Sequence, residues 1–153
     1  MTVGIVGLGL IGGSFAKAYH EAGATVLAWN RSRSVLDFAI MSGAVDAELT
    51  EDNIAACDLV LIALYPEATI EWFRRMAPHI GAHPVVLDCG GTKRTICAAC
   101  FPIAKEHGVT FLGGHPMAGT QYSGFKNAKA RVRLSRLTST MPRPLTRMRT
   151  SPS

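Results

Sequence analysis

Short apolar runs alternate with amphipathic stretches along most of the chain. The runs are apolar throughout rather than at every second position, which is typical of strands in a parallel sheet covered on both faces. They predict five strands, at residues 3–6, 25–29, 58–64, 84–87 and 109–112. A shorter apolar pair at residues 44–45 suggests a further strand.

The stretches between these runs carry apolar residues at helical spacing. Residues 14–22 place Phe15, Ala18, Tyr19 and Ala22 on one helix face. Helices are also predicted at residues 34–41, from residue 66 through residue 76, and at residues 95–107. Strands that alternate with helices form βαβ units, so the sequence predicts an α/β fold with a doubly wound, mainly parallel sheet.

A glycine-rich loop joins the first predicted strand to the first predicted helix. It reads GxGxxG and consists of Gly7, Leu8, Gly9, Leu10, Ile11 and Gly12. In such loops the first glycine permits a tight turn, the second lets the backbone approach a pyrophosphate, and the third allows close helix–strand packing. The following helix N-terminus offers N–H groups to phosphates. This placement favours a dinucleotide site over a merely structural turn.

The end of the second predicted strand bears on cofactor choice. Sites specific for NAD place Asp or Glu there to bind the ribose 2′-OH. This chain instead has Asn30, Arg31, Ser32, Arg33 and Ser34. Two guanidinium groups and two hydroxyls favour a 2′-phosphate, so we predict NADP, with NAD as the alternative. A solvated loop whose arginines point away from any ligand is the structural alternative.

Leu64 and Tyr65 end the third long apolar run. Ligands of doubly wound sheets lie outside the carboxyl ends of strands, so we expect these two residues to line the adenosine part of the cofactor. Pro66 opens a predicted helix, and that structural role alone would account for it.

Two more loops, residues 88–93 and 113–120, follow predicted strands, and the second contains His115. Pro116 biases His115 to an extended backbone. An imidazole titrates near neutrality and can accept a proton while a hydride leaves a hydroxyl-bearing carbon. His115 is therefore the candidate catalytic residue.

Residues 114–125, GHPMAGTQYSGF, are similar to the segment H-P-M-A-G-[ST]-x-x-S-G-[FV] of the prephenate/arogenate dehydrogenase family. Residues 88–93, DCGGTK, are similar to that family's D-x-G-S-V-K loop. The resemblance covers residues 1 to about 130 and implies a Rossmann-type NAD(P)-binding domain. It also implies oxidative decarboxylation of prephenate or arogenate in tyrosine biosynthesis.

The resemblance assigns roles to particular residues. His115 would hold the 4-hydroxyl of the substrate and assist its deprotonation. Gly91, which we place in the cofactor site, stands where the family's loop often has a serine that touches this hydroxyl. Two other functions stay open: a small-substrate dehydrogenase of the β-hydroxyacid type, and a non-catalytic NADP-binding module or remnant.

Charge divides the chain at about residue 130. Residues 1–130 hold 10 Lys/Arg and 11 Asp/Glu, whereas residues 131–153 hold six Arg and no acid. We therefore predict a nucleotide-binding domain at 1–130 and a basic, disordered tail at 131–153. The tail is either a basic arm for RNA or anionic lipid, or the product of a shifted reading frame or truncated gene, which we favour.

The family's helical dimerisation domain has no counterpart in the 153 residues, so the homodimer expected for the family lacks its interface here. We expect nucleotide binding with little turnover. Cys97 and Cys100 form a CxxC without a second ligand pair, which indicates core residues and no metal site. With no apolar run of about 20 residues and no leader, we expect a cytoplasmic protein that binds neither membrane nor nucleic acid.

Overall fold

The computed structural model describes residues 1–90 and 93–114, with only the backbone described at position 93. The strands are β1 (Thr2–Val6), β2 (Thr25–Trp29), β3 (Ala47–Glu48), β4 (Leu59–Ile62), β5 (Val85–Asp88) and β6 (Thr110–Gly113). The helices are α1 (Leu10–Glu21), α2 (Arg33–Met41), α3 (Pro66–Ile80) and α4 (Lys93–His107). A 3-10 turn spans Ile54–Ala56.

All six strands lie in one parallel sheet, in the order β3-β2-β1-β4-β5-β6. Val3 of β1 pairs with Val26 of β2 on one side and with Leu59 of β4 on the other. The chain moves outward from β1 in one direction and then, from β4, in the other. This confirms the predicted doubly wound α/β fold, and it places a topological switch point between β1 and β4.

The sheet buries apolar side chains on both faces. On one face, Phe15 and Tyr19 of α1 pack with Ile5 in one hydrophobic cluster. On the other face, Phe73 of α3 packs with Phe111 of β6, with ring centroids 4.8 Å apart. Because successive strand residues point to opposite faces, both sets of positions must be apolar. This is why the strands are continuous apolar runs in the sequence.

The strand predicted at residues 25–29 matches β2, three others differ by one residue at one or both ends, and two differ by more. The strand expected at residues 58–64 is β4, at Leu59–Ile62. Asp58 directly precedes the strand, and its backbone still bonds to both neighbours: its N–H donates to the Thr2 carbonyl at 2.8 Å, and its carbonyl accepts the Val85 N–H at 3.1 Å. Its side chain adds two contacts, since Oδ2 accepts the Thr2 N–H at 2.8 Å and Oδ1 lies 2.9 Å from Nε2 of His83. The strand suggested at residues 44–45 is β3, a few residues later, because Val45 is buried in the core between α2 and the sheet.

The cysteine pair lies within α4 rather than at its start. Cys100 is fully buried, and burial raises the pKa of its thiol to about 12. Burial likewise raises the pKa of Cys57 to about 11. Both thiols are therefore protonated near neutral pH, as expected of core residues rather than redox centres.

Within residues 1–90 and 93–114, no helix is long and apolar enough to cross a bilayer. The same part of the chain has no group of three or more His, Cys, Asp or Glu side chains placed to hold a metal ion.

Candidate functional site

The glycine-rich loop lies at the switch point, between the end of β1 and the start of α1. Gly7 has a φ of 92°, and its N–H donates to the Trp29 carbonyl at 2.8 Å. A Cβ on Gly7 would lie 2.5 Å from the Ala63 carbonyl oxygen. A Cβ on Gly12 would overlap the Gly7 carbonyl oxygen. Both positions therefore require glycine for the turn and for the packing of α1 against the loop.

Gly9 differs from Gly7 and Gly12 because the space around it is open. It is the N-cap of α1, and a Cβ built on it would meet no atom within 4 Å. The helix's first backbone hydrogen bond, from Gly13 N–H to Gly9 O, measures 2.8 Å, so the N–H groups of the first turn have no acceptor within the helix. The first turn contains no acidic residue. This open, positively polarised end suits an anionic group such as a pyrophosphate.

Asn30 ties the end of β2 to the glycine-rich loop. Its Oδ1 accepts the Leu8 N–H at 2.9 Å, and its Nδ2 donates to the Ser32 carbonyl at 3.1 Å. The sequence predicted a cofactor contact here but not this positioning role. The signal was present in the residue type, because an amide offers both a donor and an acceptor whereas a carboxylate only accepts.

The two predicted guanidinium groups have different surroundings. Nη1 of Arg33 lies 2.9 Å from Oε2 of Glu48, and its Nε lies 3.2 Å from Oδ1 of Asp37. The hydrogen bond to Glu48, followed by the charges of both carboxylates, raises the pKa of Arg33. Arg31 is exposed, and within the described part of the chain no carboxylate forms an ion pair with it. The sequence prediction missed both acidic partners of Arg33.

The turn after Asn30 also brings two hydroxyls together. Ser32 Oγ and Ser34 Oγ lie 3.0 Å apart and are exposed. Ser32 is the N-cap of α2, although its side chain makes no cap hydrogen bond to the helix. Both hydroxyls can therefore reorient toward a ligand without breaking a helix cap.

Leu64 and Tyr65 lie at the carboxyl end of β4, across the switch point from the glycine-rich loop. A Cβ on Gly7 would come within 2.7 Å of Cδ2 of Leu64, which places Leu64 directly against the loop. The Tyr65 side chain is 87% exposed at the N-cap of α3. Its backbone is fixed, because the Thr69 N–H donates to the Tyr65 carbonyl at 2.8 Å. An exposed aromatic ring here is available to pack against a ligand.

The carboxyl ends of β5 and β6 form the next part of this edge. Asp88 is fully buried, and its Oδ1 accepts the Gly90 N–H at 3.1 Å. The Gly114 N–H donates to the Asp88 carbonyl at 2.8 Å, which extends the pairing of β6 with β5. Gly91 and His115 lie outside the described residues, as does the tail at 131–153, so what we predicted of them stays a prediction.

The sequence matches the model of one known protein family. The model described as "Prephenate dehydrogenase, nucleotide-binding domain" matches residues 15–137. A prephenate dehydrogenase from Lactococcus lactis subsp. cremoris is 31% identical over 126 residues, which are 78% of this chain and 35% of that protein. The chain thus spans little more than a third of the length of the curated relatives it matches, 35% and 36% for the first two.

Solved structures share the fold. The Synechocystis arogenate dehydrogenase superimposes with a TM-score of 0.68 at 24% identity, over 76% of this chain and 41% of that one. The A. aeolicus prephenate dehydrogenase, solved with hydroxyphenyl propionate and NAD+, gives a TM-score of 0.56 at 25% identity, over 78% of this chain and 43% of that one. The family match covers most of the sequence, and the chain therefore belongs to the prephenate dehydrogenase family, of which it carries the nucleotide-binding domain.

Proposed function

We propose that the chain binds NAD(P) at residues 7–12 and acts in the oxidative decarboxylation of prephenate or arogenate. The observation that carries this proposal is the loop geometry: Gly7 and Gly12 are required by the turn and its packing, whereas Gly9 is open toward the space a pyrophosphate would fill. The loop lies before residue 15, where the family match begins, so its geometry supports the proposal independently of that match.

The residues at the carboxyl ends of the strands would supply the remaining contacts to the cofactor. The pyrophosphate would bind at Gly9 and the first turn of α1, and the adenosine would extend along the loop toward Asn30 and Arg31. Leu64 and Tyr65 would contact the adenosine from the end of β4. NADP is the proposed cofactor because position 30 carries no carboxylate to repel a 2′-phosphate, and NAD is the alternative.

The proposed chemistry assigns one protein residue to proton transfer. A bound oxidised nicotinamide would supply the acceptor for a hydride from the ring carbon that bears the hydroxyl. Loss of this hydride would accompany cleavage of the bond to the ring carboxylate, so that CO2 leaves and the ring becomes aromatic. Neutral His115 would accept the hydroxyl proton as the hydride departs, and would return it to the phenolic oxygen of the product. The rate should therefore fall at pH values below the pKa of His115.

The test compares nucleotide binding with substrate-dependent reduction. The full chain is titrated with NADPH, and NADP+ reduction is then followed with prephenate or arogenate, in wild type and His115→Asn. We expect both proteins to bind NADPH, and substrate-dependent reduction above the buffer control in wild type only. Nucleotide binding without any substrate-dependent reduction would favour the non-catalytic module. Failure to bind either nucleotide would contradict the proposal as a whole.

Location and partners complete the proposal. The names of the relatives, which are dehydrogenases, support a small-molecule substrate. A cytoplasmic location is part of the proposal, and so is the expectation that the family homodimer lacks its interface in these 153 residues. We propose no nucleic-acid or membrane partner, because the basic excess lies in residues 131–153 rather than in the nucleotide-binding domain.

A further inference from the structure

Three charged side chains meet beside the end of β2. Arg33 is the first residue of α2, and its guanidinium bridges Asp37, one turn along the same helix, and Glu48, the last residue of β3. The two contacts measure 3.2 Å and 2.9 Å. The cluster carries one positive and two negative charges, so it presents a net negative charge next to the turn that follows Asn30.

Glu48 is held in place by its backbone. It pairs with Ala28 of β2, and the next residue, Leu49, donates its N–H to the Ala28 carbonyl at 2.7 Å. The Asn53 side chain donates to the Glu48 carbonyl at 2.9 Å and accepts the Thr50 N–H at 2.7 Å. The carboxylate therefore extends from a fixed strand end, and the side chain alone sets its reach toward Arg33.

Arg33 and Arg31 consequently differ in what they offer an arriving phosphate. A guanidinium has five N–H donors, and the two contacts of Arg33 leave several of them available. Its charge, however, is compensated by two carboxylates, whereas Arg31 has no carboxylate partner among the described residues. A 2′-phosphate near this turn would therefore meet one uncompensated cation, Arg31. It would have to compete with Glu48 for the guanidinium of Arg33.

We propose that Glu48 is a specificity-determining residue for the dinucleotide: by holding Arg33, it lowers the preference of the site for a 2′-phosphate. The proposal rests on the proposed function, because it assumes that the adenosine ribose lies at the end of β2. The side chains of the pair are 64% and 37% exposed, so a doubly charged phosphate can displace Glu48 rather than be blocked by it. Glu48 therefore acts as a graded modulator.

The experiment measures dissociation constants for NADPH and NADH with the full chain, in wild type and Glu48→Gln. Releasing Arg33 should tighten NADPH binding by about three- to tenfold, because exposed ion pairs are individually weak. Affinity for NADH, which lacks the 2′-phosphate, should change by less than about twofold. The control is Glu21→Gln, which makes the same change of net charge at the far end of α1.

A second background tests whether Glu48 acts through Arg33. In Arg33→Gln protein, adding Glu48→Gln should leave NADPH affinity unchanged, because there is no guanidinium to release. A gain in NADPH affinity that persists in the Arg33→Gln background, or that Glu21→Gln reproduces, would overturn the proposal. Equal NADPH affinity in wild type and Glu48→Gln would overturn it while leaving the proposed function intact. If wild type binds neither nucleotide, the role of Glu48 and the proposed function are both contradicted.

Discussion

The Leu8 N–H donates a hydrogen bond to Oδ1 of Asn30, 2.9 Å away and 22 residues further along the chain. The bond joins the glycine-rich loop to the end of β2, so the proposed pyrophosphate site and the proposed ribose site share one side chain. This bond gives Asn30 a positioning role. NAD-specific sites place an acid at the end of this strand, so an asparagine there also leaves out a charge that would repel a 2′-phosphate.

Two substitutions separate these roles of Asn30. Asn30→Asp keeps an acceptor for the Leu8 N–H but adds a negative charge, so NADPH binding should weaken about tenfold, on the order of 1.4 kcal/mol, while NADH binding is retained. Asn30→Ala removes the acceptor and should weaken both nucleotides to a similar extent. Dissociation constants from fluorescence titration measure this, and an equal loss for both nucleotides in Asn30→Asp would contradict the charge argument.

Neighbouring glycines in α1 should respond to alanine with opposite signs. A Cβ at Gly12 would overlap the Gly7 carbonyl oxygen, so Gly12→Ala should destabilise the fold by about 1–3 kcal/mol, as overpacking does. A Cβ at Gly13 would meet only the Leu8 carbonyl oxygen, at 3.7 Å. Gly13→Ala should therefore stabilise the helix by about 0.5–1 kcal/mol. Urea unfolding gives the free energy of unfolding of each variant, and equal destabilisation by Gly12→Ala and Gly13→Ala would refute the packing argument.

Asp58 should make stability depend on acid pH. The hydrogen bond from the Thr2 N–H, followed by that from His83, lowers the pKa of this carboxyl. A carboxyl with a lowered folded-state pKa stabilises the protein above its unfolded-state pKa, about 4, and this stabilisation is lost as pH falls through the folded-state value. Thermal melts from pH 7 to pH 3 should show Asp58→Ala to be less stable at pH 7 than wild type, with the difference shrinking in acid.

Asp52 supplies the control for the Asp58 experiment. Asp52 is exposed, and no hydrogen bond or ion pair joins it to the other residues of the described ranges. Asp52→Ala should therefore leave the melting temperature close to that of wild type at every pH. A pH-independent difference between wild type and Asp58→Ala would show that the Asp58 carboxylate contributes no acid-sensitive stability.

The architecture was predictable from the sequence because a sheet buried on both faces requires apolar residues at successive strand positions. Continuous apolar runs predicted the long strands, and the sequence placed the starts of α2 and α3 within one residue of those observed, whereas α1 begins four residues earlier than predicted. The misplaced strand β3 is two residues long, too short for any periodicity, and backbone pairing with β2 fixes its position. The strand predicted at residues 58–64 was too long at both ends, and at its carboxyl end the apolar run continues beyond the residues that pair as β4. The contacts of Asp58 with Thr2 and His83 connect residues distant in sequence and were not predicted.

The candidate site was predictable only where local chemistry defines it. The glycine spacing anticipated the turn at Gly7 and the close packing at Gly12, since both arise within a few residues. The contacts of Asn30 with Leu8 and of Arg33 with Glu48 could not be predicted, because they arise from the folding of β1 and β3 alongside β2. We therefore expect cofactor preference to depend on contacts across the sheet as well as on residue types.

The most direct test of nucleotide binding by the glycine-rich loop is NADPH titration of wild type and Gly9→Ala by isothermal calorimetry, with thermal melts alongside. A methyl group at Gly9 meets no protein atom within 4 Å, so the melting temperature should fall by only the few degrees that alanine costs at an N-cap. The same methyl group would occupy the space assigned to the pyrophosphate, and affinity should fall by at least about tenfold, about 1.4 kcal/mol. Equal NADPH affinity in the two proteins would contradict the proposed site.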